Sequence, residues 1–209
     1  MSYSPGKLDR GLIDVLRSRR SVRRYLEKRV PIELAFKVLE AGRWAPSAHN
    51  AQPWRFIIVV DQDVKVKLAE AMAKAWLSDL ERDGVPLEER LRIVSEESIK
   101  RFTKSPLLIV ACLTMEGMHH YPDERRRRAE YLMAVQSVAA AIQNVLLAAH
   151  VEGLGACWVC APLFCPEAVQ EALNTPKDWE PQAIITLGYP AEEPEAPPRL
   201  PLNKVSLVL

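Results

Sequence analysis

Two short runs near the start of the chain hold residue types that could bind phosphate and hydrogen-bond a polar ligand. The first, residues 19–24, places four arginines and one serine within six positions. Arginine forks match phosphate oxygens two at a time and stay charged at any working pH. The second, residues 45–54, is a turn-rich stretch of hydroxyl and amide side chains that leads into a strand-like segment. Together they suit a phosphorylated planar cofactor held at the edge of a sheet.

Composition sets the class of protein in which such a site would lie. The 209 residues are enough for one domain, and 48% hydrophobic with 26% charged residues is ordinary for a soluble globular protein. A net charge of +1 gives no reason to expect nucleic acid or an anionic membrane as a partner. No apolar run approaches the roughly 18 residues that span a bilayer, and the polar N-terminus does not resemble a secretory signal. We expect one cytoplasmic domain over residues 1–209, with an extended tail over residues 190–209.

Apolar periodicity predicts helices that alternate with strands. The predicted helices span residues 8–19, 63–80, 86–104, 125–152 and 165–174, with a further helix opened by Pro31 at the position that proline tolerates best. The predicted strands span residues 54–60, 106–114, 156–160 and 182–187. Strands separated by helices usually indicate a parallel doubly wound sheet, but the glycine fingerprint of nucleotide-binding sheets is missing. The spacing alone leaves the order of the strands open.

Two further segments are apolar enough to predict burial. The middle of the longest helix, residues 131–149, is apolar nearly all round, which is typical of a helix in a core or at a subunit interface. The tail should be extended because it carries five prolines over residues 190–201. It ends in the apolar residues 205–209, which we expect to pack on the body of the protein or on a partner.

The cysteines and histidines offer a second kind of chemistry. Cys157 and Cys160 form a C-x-x-C pair that could be half of a zinc or iron–sulfur site, or a redox pair. No second C-x-x-C exists, and Cys112 and Cys157 lie in apolar runs, where free cysteine behaves as a small hydrophobe. The histidines are not spaced as ligands; they are His49, His119, His120 and His150. We therefore predict no metal site and favour a structural role for the cysteines.

The two N-terminal runs together resemble the signature of the flavin-dependent nitroreductase family. Arg19-Arg20-Ser21-Val22-Arg23 matches that family's opening FMN-binding motif. The resemblance implies that Arg19 contacts the FMN phosphate, that Arg20 and Ser21 belong to the same binding segment, and that Arg23 reaches the pyrimidine side of the flavin. A fixed cation there favours reduction of the flavin. The alternative interpretation is a solvated basic helix end, favourable against the helix dipole.

The second run, residues 45–54, resembles the family's "APS-x-x-N-x-QPW" loop. Pro46, Ser47 and Asn50 match positions that, in the family, reach the flavin bound mainly to the other subunit. Gln52 could orient the loop. His49 is a candidate general acid, although a loop histidine is more often a solvated or structural group.

Two further segments carry the resemblance. Residues 153–160 resemble the "GLG-x-CW" strand, which in the family donates a backbone N–H to flavin N5. Trp158, Val159 and Cys160 are the candidate donors, and many relatives have glycine where Cys160 stands. Near the C-terminus, Arg199 begins a run that resembles the family's terminal arginine motif, which closes on the FMN phosphate.

The resemblance implies an α+β fold with a mixed central sheet flanked by helices, and a homodimer built around the long helix. It implies an FMN-dependent oxidoreductase that uses NADH or NADPH and then passes electrons to a small acceptor, a nitroaromatic or a quinone. No catalytic side chain is expected because the flavin performs the electron chemistry. Residues 72–102 could form a substrate lid. The alternatives are a specialised relative that dehalogenates, cleaves flavin or uses a deazaflavin, and a flavin-binding sensor or carrier without turnover.

Overall fold

A computed structural model describes residues 11–209 and forms one sheet covered by helices on both faces. The helices are α1 (Leu12–Ser18), α2 (Ile32–Arg43), α3 (Gln62–Arg82), α4 (Leu87–Val94), α5 (Lys100–Thr103), α6 (Glu124–Val151) and α7 (Pro166–Leu173). The strands are β1 (Trp54–Val59), β2 (Leu107–Leu113), β3 (Gly155–Val159) and β4 (Glu180–Gly188). The predicted α+β class is confirmed.

The predicted elements differ from the observed ones in two places. The first helix begins at Leu12, and residues 8–10 of the predicted helix lie outside the described residues. The helix predicted over 86–104 is interrupted between α4 and α5 by a π-turn at Ser95–Ile99. Such turns are rare insertions within helical segments, and apolar periodicity does not reveal them.

The strands lie in the order β1-β2-β4-β3, and each neighbouring pair is antiparallel. The predicted mixed character is therefore limited, within the described residues, to a single parallel bridge between Ser21 and Ala156 at the outer side of β3. The order places β1 and β3 at opposite edges. Since neighbouring strands lie about 4.8 Å apart, these two edges are separated by about 14 Å.

Alternating side chains divide the interior into two layers. β2 is buried along its whole length, with one set of side chains facing α2 and α6 and the other facing α3 and α7. Ile109 and Ile185 belong to the first layer, whereas Leu108 and Ile184 belong to the second. Both faces of the central strands are thus covered, which explains their continuous apolar runs.

α6 is the central helix of the first layer. It packs against α2, where Gly42 is so close that a Cβ would stand 2.7 Å from Val145 Cγ2. α6 is long and apolar enough to cross a membrane, because an 18-residue window within it has a mean hydropathy of 1.7. The prediction that no apolar run approaches the length needed to span a bilayer is therefore wrong for this helix. Of that window 44% is buried against the rest of the fold.

The tail over residues 191–209 contains a short 3-10 turn at Leu202–Lys204 and otherwise no helix or strand. Its apolar end does not pack on the body of the same chain, because Leu207, Val208 and Leu209 are almost fully exposed. The sequence predicted that this apolar end packs either on the body of the protein or on a partner, and only packing on a partner remains.

Residues 21–26, which we call the edge segment, run along the free side of β3. The backbone N–H of Val22 donates to the carbonyl of Ala156 at 3.0 Å, and that of Leu26 donates to Tyr189 at 2.9 Å. Tyr25 anchors the middle, since its hydroxyl donates to the Val22 carbonyl at 2.6 Å and lies 2.6 Å from Thr186 Oγ1. Burial raises the pKa of Tyr25 above its usual range, so the hydroxyl stays protonated.

A missing side chain lets the edge segment approach β3. A Cβ on Gly155 would stand 2.7 Å from Val22 Cγ1 and 2.8 Å from Val22 Cβ, closer than carbon atoms can pack. Glycine at this position is therefore a packing requirement of the edge segment.

A carboxylate from the tail fixes the arginine part of the same segment. Glu192 Oε1 accepts from the backbone N–H of Arg23 at 2.7 Å and of Arg24 at 3.1 Å, while Oε2 pairs with Arg24 Nε at 2.7 Å. Burial acts to raise the pKa of Glu192, but these hydrogen bonds outweigh it and hold the pKa below its ordinary value. The side chain of Arg23 is left without this carboxylate.

We predict that Gly155→Ala lowers the free energy of unfolding by about 1–3 kcal/mol, the usual cost of overpacking. Adding Val22→Ala removes the clashing methyl groups, so the double variant should be more stable than the sum of the two single changes implies. Denaturant unfolding of the four proteins measures this coupling. Additive effects would show that Gly155 and Val22 do not meet.

We predict that Glu192→Gln lowers the free energy of unfolding at pH 7 by about 1–3 kcal/mol, the range for hydrogen bonds to a charged group. Because the folded-state pKa is depressed, this stability is present above the unfolded pKa of about 4.3 and is lost as pH falls through the folded pKa. The difference from the native protein should therefore shrink in acid. Glu193→Gln, at the exposed neighbouring position, is the control; an equal effect there would contradict the assignment.

Candidate functional site

The predicted arginines converge beside β3. Burial raises the pKa of the Cys157 thiol. The positive charges of Arg23, Arg101 and Arg19 lie close enough to this thiol to act against that rise. The pKa of Arg19 is itself lowered, first by burial and then by repulsion from Arg20 and Arg199. The structure thus brings Arg199, near the end of the chain, within the electrostatic range of Arg19, near its start.

These cations are not neutralised by the rest of the described chain. Within residues 11–209, no carboxylate lies within ion-pair distance of Arg19, Arg20, Arg23 or Arg199. Arg20 and Arg199 donate only to nearby backbone carbonyls. Like charges held together without counter-charges form a site for an anion, because a bound dianion relieves their repulsion.

Ser21 lies at the same place, bridged to Ala156 through the backbone. Arg101 was not among the predicted residues, although it lies in the 72–102 region; its side chain also pairs with Glu97. An isolated arginine in a charged helix gives no sequence signal of its own. α5 packs against α3, and this packing places Arg101 on the wall of the cavity that Val159 and Cys160 also line.

The three candidate backbone donors lie at the end of β3, but they do not point in one direction. The Ala156 carbonyl faces outward, where it accepts from Val22. Because the backbone groups of successive residues alternate in direction along a strand, the N–H of Trp158 also faces outward, whereas the N–H of Val159 faces β4. Cys160 follows the strand with φ −90° and ψ 14°, in a sparsely populated region where many active-site residues lie. The alternation leaves Trp158 and Cys160 as free donors.

A cavity of about 550 Å³ opens beside this strand end. Val159 and Cys160 line one side, and Met72, Trp76 and Arg101 line the other. The region over 72–102 that was predicted as a lid therefore does face the candidate donors. Its wall is mainly apolar with a few charged groups, which is typical of a small-molecule site.

The polar loop lies elsewhere, at the start of β1. Ser47 Oγ accepts from the backbone N–H of Gln52 at 3.1 Å, which closes the loop on itself, and Gln52 Nε2 lies 3.5 Å from the Asn50 carbonyl. His49, Asn50 and Gln52 have φ values of 58°, 52° and 50°. Pro46, Asn50 and Gln52 are exposed on the chain. The loop is thus tightly folded, and it presents polar groups outward.

The two halves of the predicted site are on opposite edges of the sheet. The guanidinium groups gather at the β3 edge, whereas residues 46–52 precede β1 at the other edge, about 14 Å away across the strands. A single chain does not bring them together around one ligand.

Two side chains beside the loop were not predicted as neighbours. His49 Nε2 lies 3.3 Å from Glu130 Oε1, and the His49 ring stacks on that of His119 at 3.9 Å between centroids. The spacing of the histidines in the sequence did not predict that His49 and His119 would be neighbours. They are 70 positions apart in sequence, and only the pairing of β1 with β2 brings the loop and the turn after β2 together.

The cysteines behave as the structural interpretation expects, with one exception. Cys112, Cys157 and Cys165 are buried, and burial raises the pKa of each thiol, that of Cys112 to about 12. Cys160 is exposed. Within residues 11–209, the group of side chains close enough to share a metal ion contains no cysteine.

The chain was compared with known proteins. The sequence profile of the Nitroreductase family matches residues 16–189. A Methanothermobacter thermautotrophicus protein with the provisional name NADH dehydrogenase/NAD(P)H nitroreductase is 30% identical over 185 residues, covering 88% of this chain and 79% of its own. Iodotyrosine deiodinase 1 of Sus scrofa is 29% identical over 200 residues, covering 94% of this chain and 68% of its own.

The fold has counterparts among solved structures. A provisionally named nitroreductase from Desulfovibrio desulfuricans, in complex with FMN, has a TM-score of 0.70 and 27% identity, covering 96% of this chain and 98% of its own. The profile match extends over most of the chain and includes the edge segment, the polar loop and β3. The chain therefore belongs to the Nitroreductase family.

Proposed function

We propose that this protein is an FMN-dependent oxidoreductase that takes electrons from NADH or NADPH and passes them to a small acceptor such as a nitroaromatic or a quinone. The observation that carries the proposal is the group of unneutralised guanidinium charges beside β3. Family membership, the FMN complex of the Desulfovibrio relative and the name of the Methanothermobacter relative support it. We place this activity in a single-domain, soluble cytoplasmic homodimer.

The residues present fit the phosphate of FMN. Arg19 and Arg199 approach from the two ends of the chain, and their mutual repulsion falls when a dianion lies between them. Arg20 adds charge to the same place, and Ser21 offers a hydroxyl beside it. Two separate arginines on one phosphate also restrict its orientation, because each fork binds oxygen atoms in a fixed plane.

The residues near β3 fit the ring of the same cofactor. Bound FMN would supply the electron transfer, accepting two electrons from the nicotinamide and giving them to the acceptor. Arg23 would place a fixed positive charge at the pyrimidine side of the ring, where it would favour reduction. Its backbone is held by Glu192, so its side chain is free to point at a ligand. Of the candidate donors to N5, Cys160 and Trp158 are favoured over Val159, whose N–H faces β4.

The opposite position of the polar loop is the basis for the homodimer. Pro46, Ser47, Asn50 and Gln52 lie too far across the sheet to complete the site of their own chain, so we assign them to the cofactor bound by a second copy. Exposed apolar side chains support an interface. They lie on α1, on α2, on α6 and in the tail: Leu12, Ile13, Leu16, Phe36, Leu132, Leu207 and Val208. Such a surface is rarely left in water.

The cavity beside Cys160 is the proposed acceptor site. Its position between β3 and the region over 72–102 places an acceptor against the candidate N5 donors. Trp76 and Met72 supply apolar contact for an aromatic ring, and Arg101 supplies a charge for a polar substituent.

A specialised activity is the second candidate. The similarity to iodotyrosine deiodinase 1 favours it, because that relative is as similar overall as the nitroreductase relative. A flavin-binding sensor or carrier without turnover uses the same phosphate contacts but keeps the ring closed to nicotinamide. A metal protein based on Cys157 and Cys160 gains no support, since Cys157 is buried and its pKa is raised.

Flavin reduction tests the proposal. We expect the purified protein to be yellow with bound FMN, to lose colour anaerobically on addition of NADH or NADPH, and to regain it when a nitroaromatic or quinone is added. Rapid mixing at saturating nicotinamide separates the enzyme from the sensor. Bound FMN that is never reduced would contradict the enzyme, and colourless protein that ignores added FMN would contradict the cofactor.

We predict that Arg19→Ala weakens FMN binding by about 1.5–3 kcal/mol, which is the contribution of a hydrogen bond to a charged group. A titration that follows flavin fluorescence measures the change. Arg17→Ala is the matched control, because Arg17 is an exposed arginine two positions earlier that is not part of the charged group. Unchanged affinity in Arg19→Ala, or an equal loss in Arg17→Ala, would contradict the phosphate assignment.

A further inference from the structure

Three side chains with metal-binding atoms meet away from the guanidinium site. His49, His119 and Glu130 each offer one ligand atom, and these atoms all lie within 4.8 Å of one another. They come from three different segments: the polar loop, the turn after β2 and the first third of α6. None of them belongs to the residues assigned above to the FMN phosphate, the ring or the acceptor cavity.

The carboxylate of the group is firmly placed. Glu130 is only 3% exposed, and its Oε2 accepts from the backbone N–H of His119 at 3.3 Å. Its Oε1 faces His49 Nε2 at 3.3 Å. Two donors bound to one tetrahedral zinc ion at about 2.0–2.1 Å lie about 3.3 Å apart, so this pair already has the required separation.

The two imidazole rings are also confined. They stack at 3.9 Å with an angle of 19° between their planes, and the edge of Tyr121 contacts His119 at 6.4 Å between centroids. Stacked rings direct their nitrogen lone pairs nearly in parallel, so both nitrogens reach one ion only after one of the rings rotates out of the stack. The terminal torsion of histidine is broad and permits such a rotation at low cost.

We propose that His49, His119 and Glu130 bind a divalent transition metal ion, with zinc as the reference ion. Two imidazoles and one carboxylate form an N₂O set that zinc accepts, with a fourth position left for water. Cobalt, nickel and copper ions suit the same ligands, whereas magnesium and calcium prefer oxygen alone. The buried carboxylate of Glu130 balances one of the two positive charges that the ion brings, and the two imidazoles bind as neutral ligands.

The ion would act as a clamp on the polar loop. His49 is held at φ 58° next to Asn50 at φ 52°, both in the left-handed region that non-glycine residues seldom adopt. A bond from the metal to His49 fixes this backbone and ties the loop to α6 and to the turn after β2. The site is thus a positioning device for Ser47 and Asn50, and the ion takes no part in the electron transfer.

Metal titration of the full-length, tag-free protein tests this site without any assay of activity. After treatment with a chelator, the protein should bind one Zn²⁺ per chain by calorimetry, and Co²⁺ should give the intense visible absorption of a four-coordinate site. His49→Gln and His119→Gln should each weaken Zn²⁺ binding at least tenfold. Glu130→Gln should do the same where it folds, but the two exposed histidines are sufficient for the test.

His120→Gln is the matched control, because His120 is an exposed histidine next to His119 that does not belong to the group. Its Zn²⁺ affinity should match that of the native protein. Absence of stoichiometric Zn²⁺ binding in the native protein would overturn the proposal. So would binding that survives both substitutions, or that His120→Gln weakens equally. FMN affinity is measured separately, so failure of the metal site leaves the proposed oxidoreductase intact and the reverse also holds.

Discussion

The repulsion between guanidinium groups beside β3 is the constraint on which the site depends. Arginines that share no carboxylate separate unless their backbones are fixed by other contacts. Here the fixing contacts are the Tyr25 hydroxyl on β4, the missing side chain at Gly155 and the Glu192 carboxylate under Arg23 and Arg24. None of these three groups is among the residues assigned to the proposed ligand. They hold the edge segment so that its charges stay together until an anion relieves them.

The order of the strands has an equally direct consequence for assembly. Because β1 and β3 form opposite edges, each chain carries the residues proposed to contact the phosphate and the ring at one edge and the polar loop at the other. One ligand can use both sets only when a second copy brings its loop to the first copy's β3. The exposed apolar side chains on α1 and the tail lie on a surface that such a copy would cover. In the proposed homodimer, cofactor binding and dimerisation are thus parts of one arrangement.

Much of this could be predicted from local patterns. The strands over 54–60 and 106–114 and the long α6 were visible because continuous apolar runs and helical periodicity are local properties. Family resemblance supplied the site residues, since spacing alone left even the strand order open. Contacts between distant segments could not be predicted. Glu192 and Arg101 carry no local signal, and His49 meets His119 only because β1 pairs with β2.

The most direct test of the central claim mixes two damaged proteins. Arg19→Ala removes the phosphate contact and Asn50→Ala removes the loop contact, so neither homodimer has an intact site. After subunit exchange, mixed dimers contain one site in which both residues are native, about a quarter of all sites. The account predicts that native FMN affinity returns in that fraction of sites. Mixed dimers that form, as native mass spectrometry would show, but recover no FMN binding would contradict a site shared between two chains.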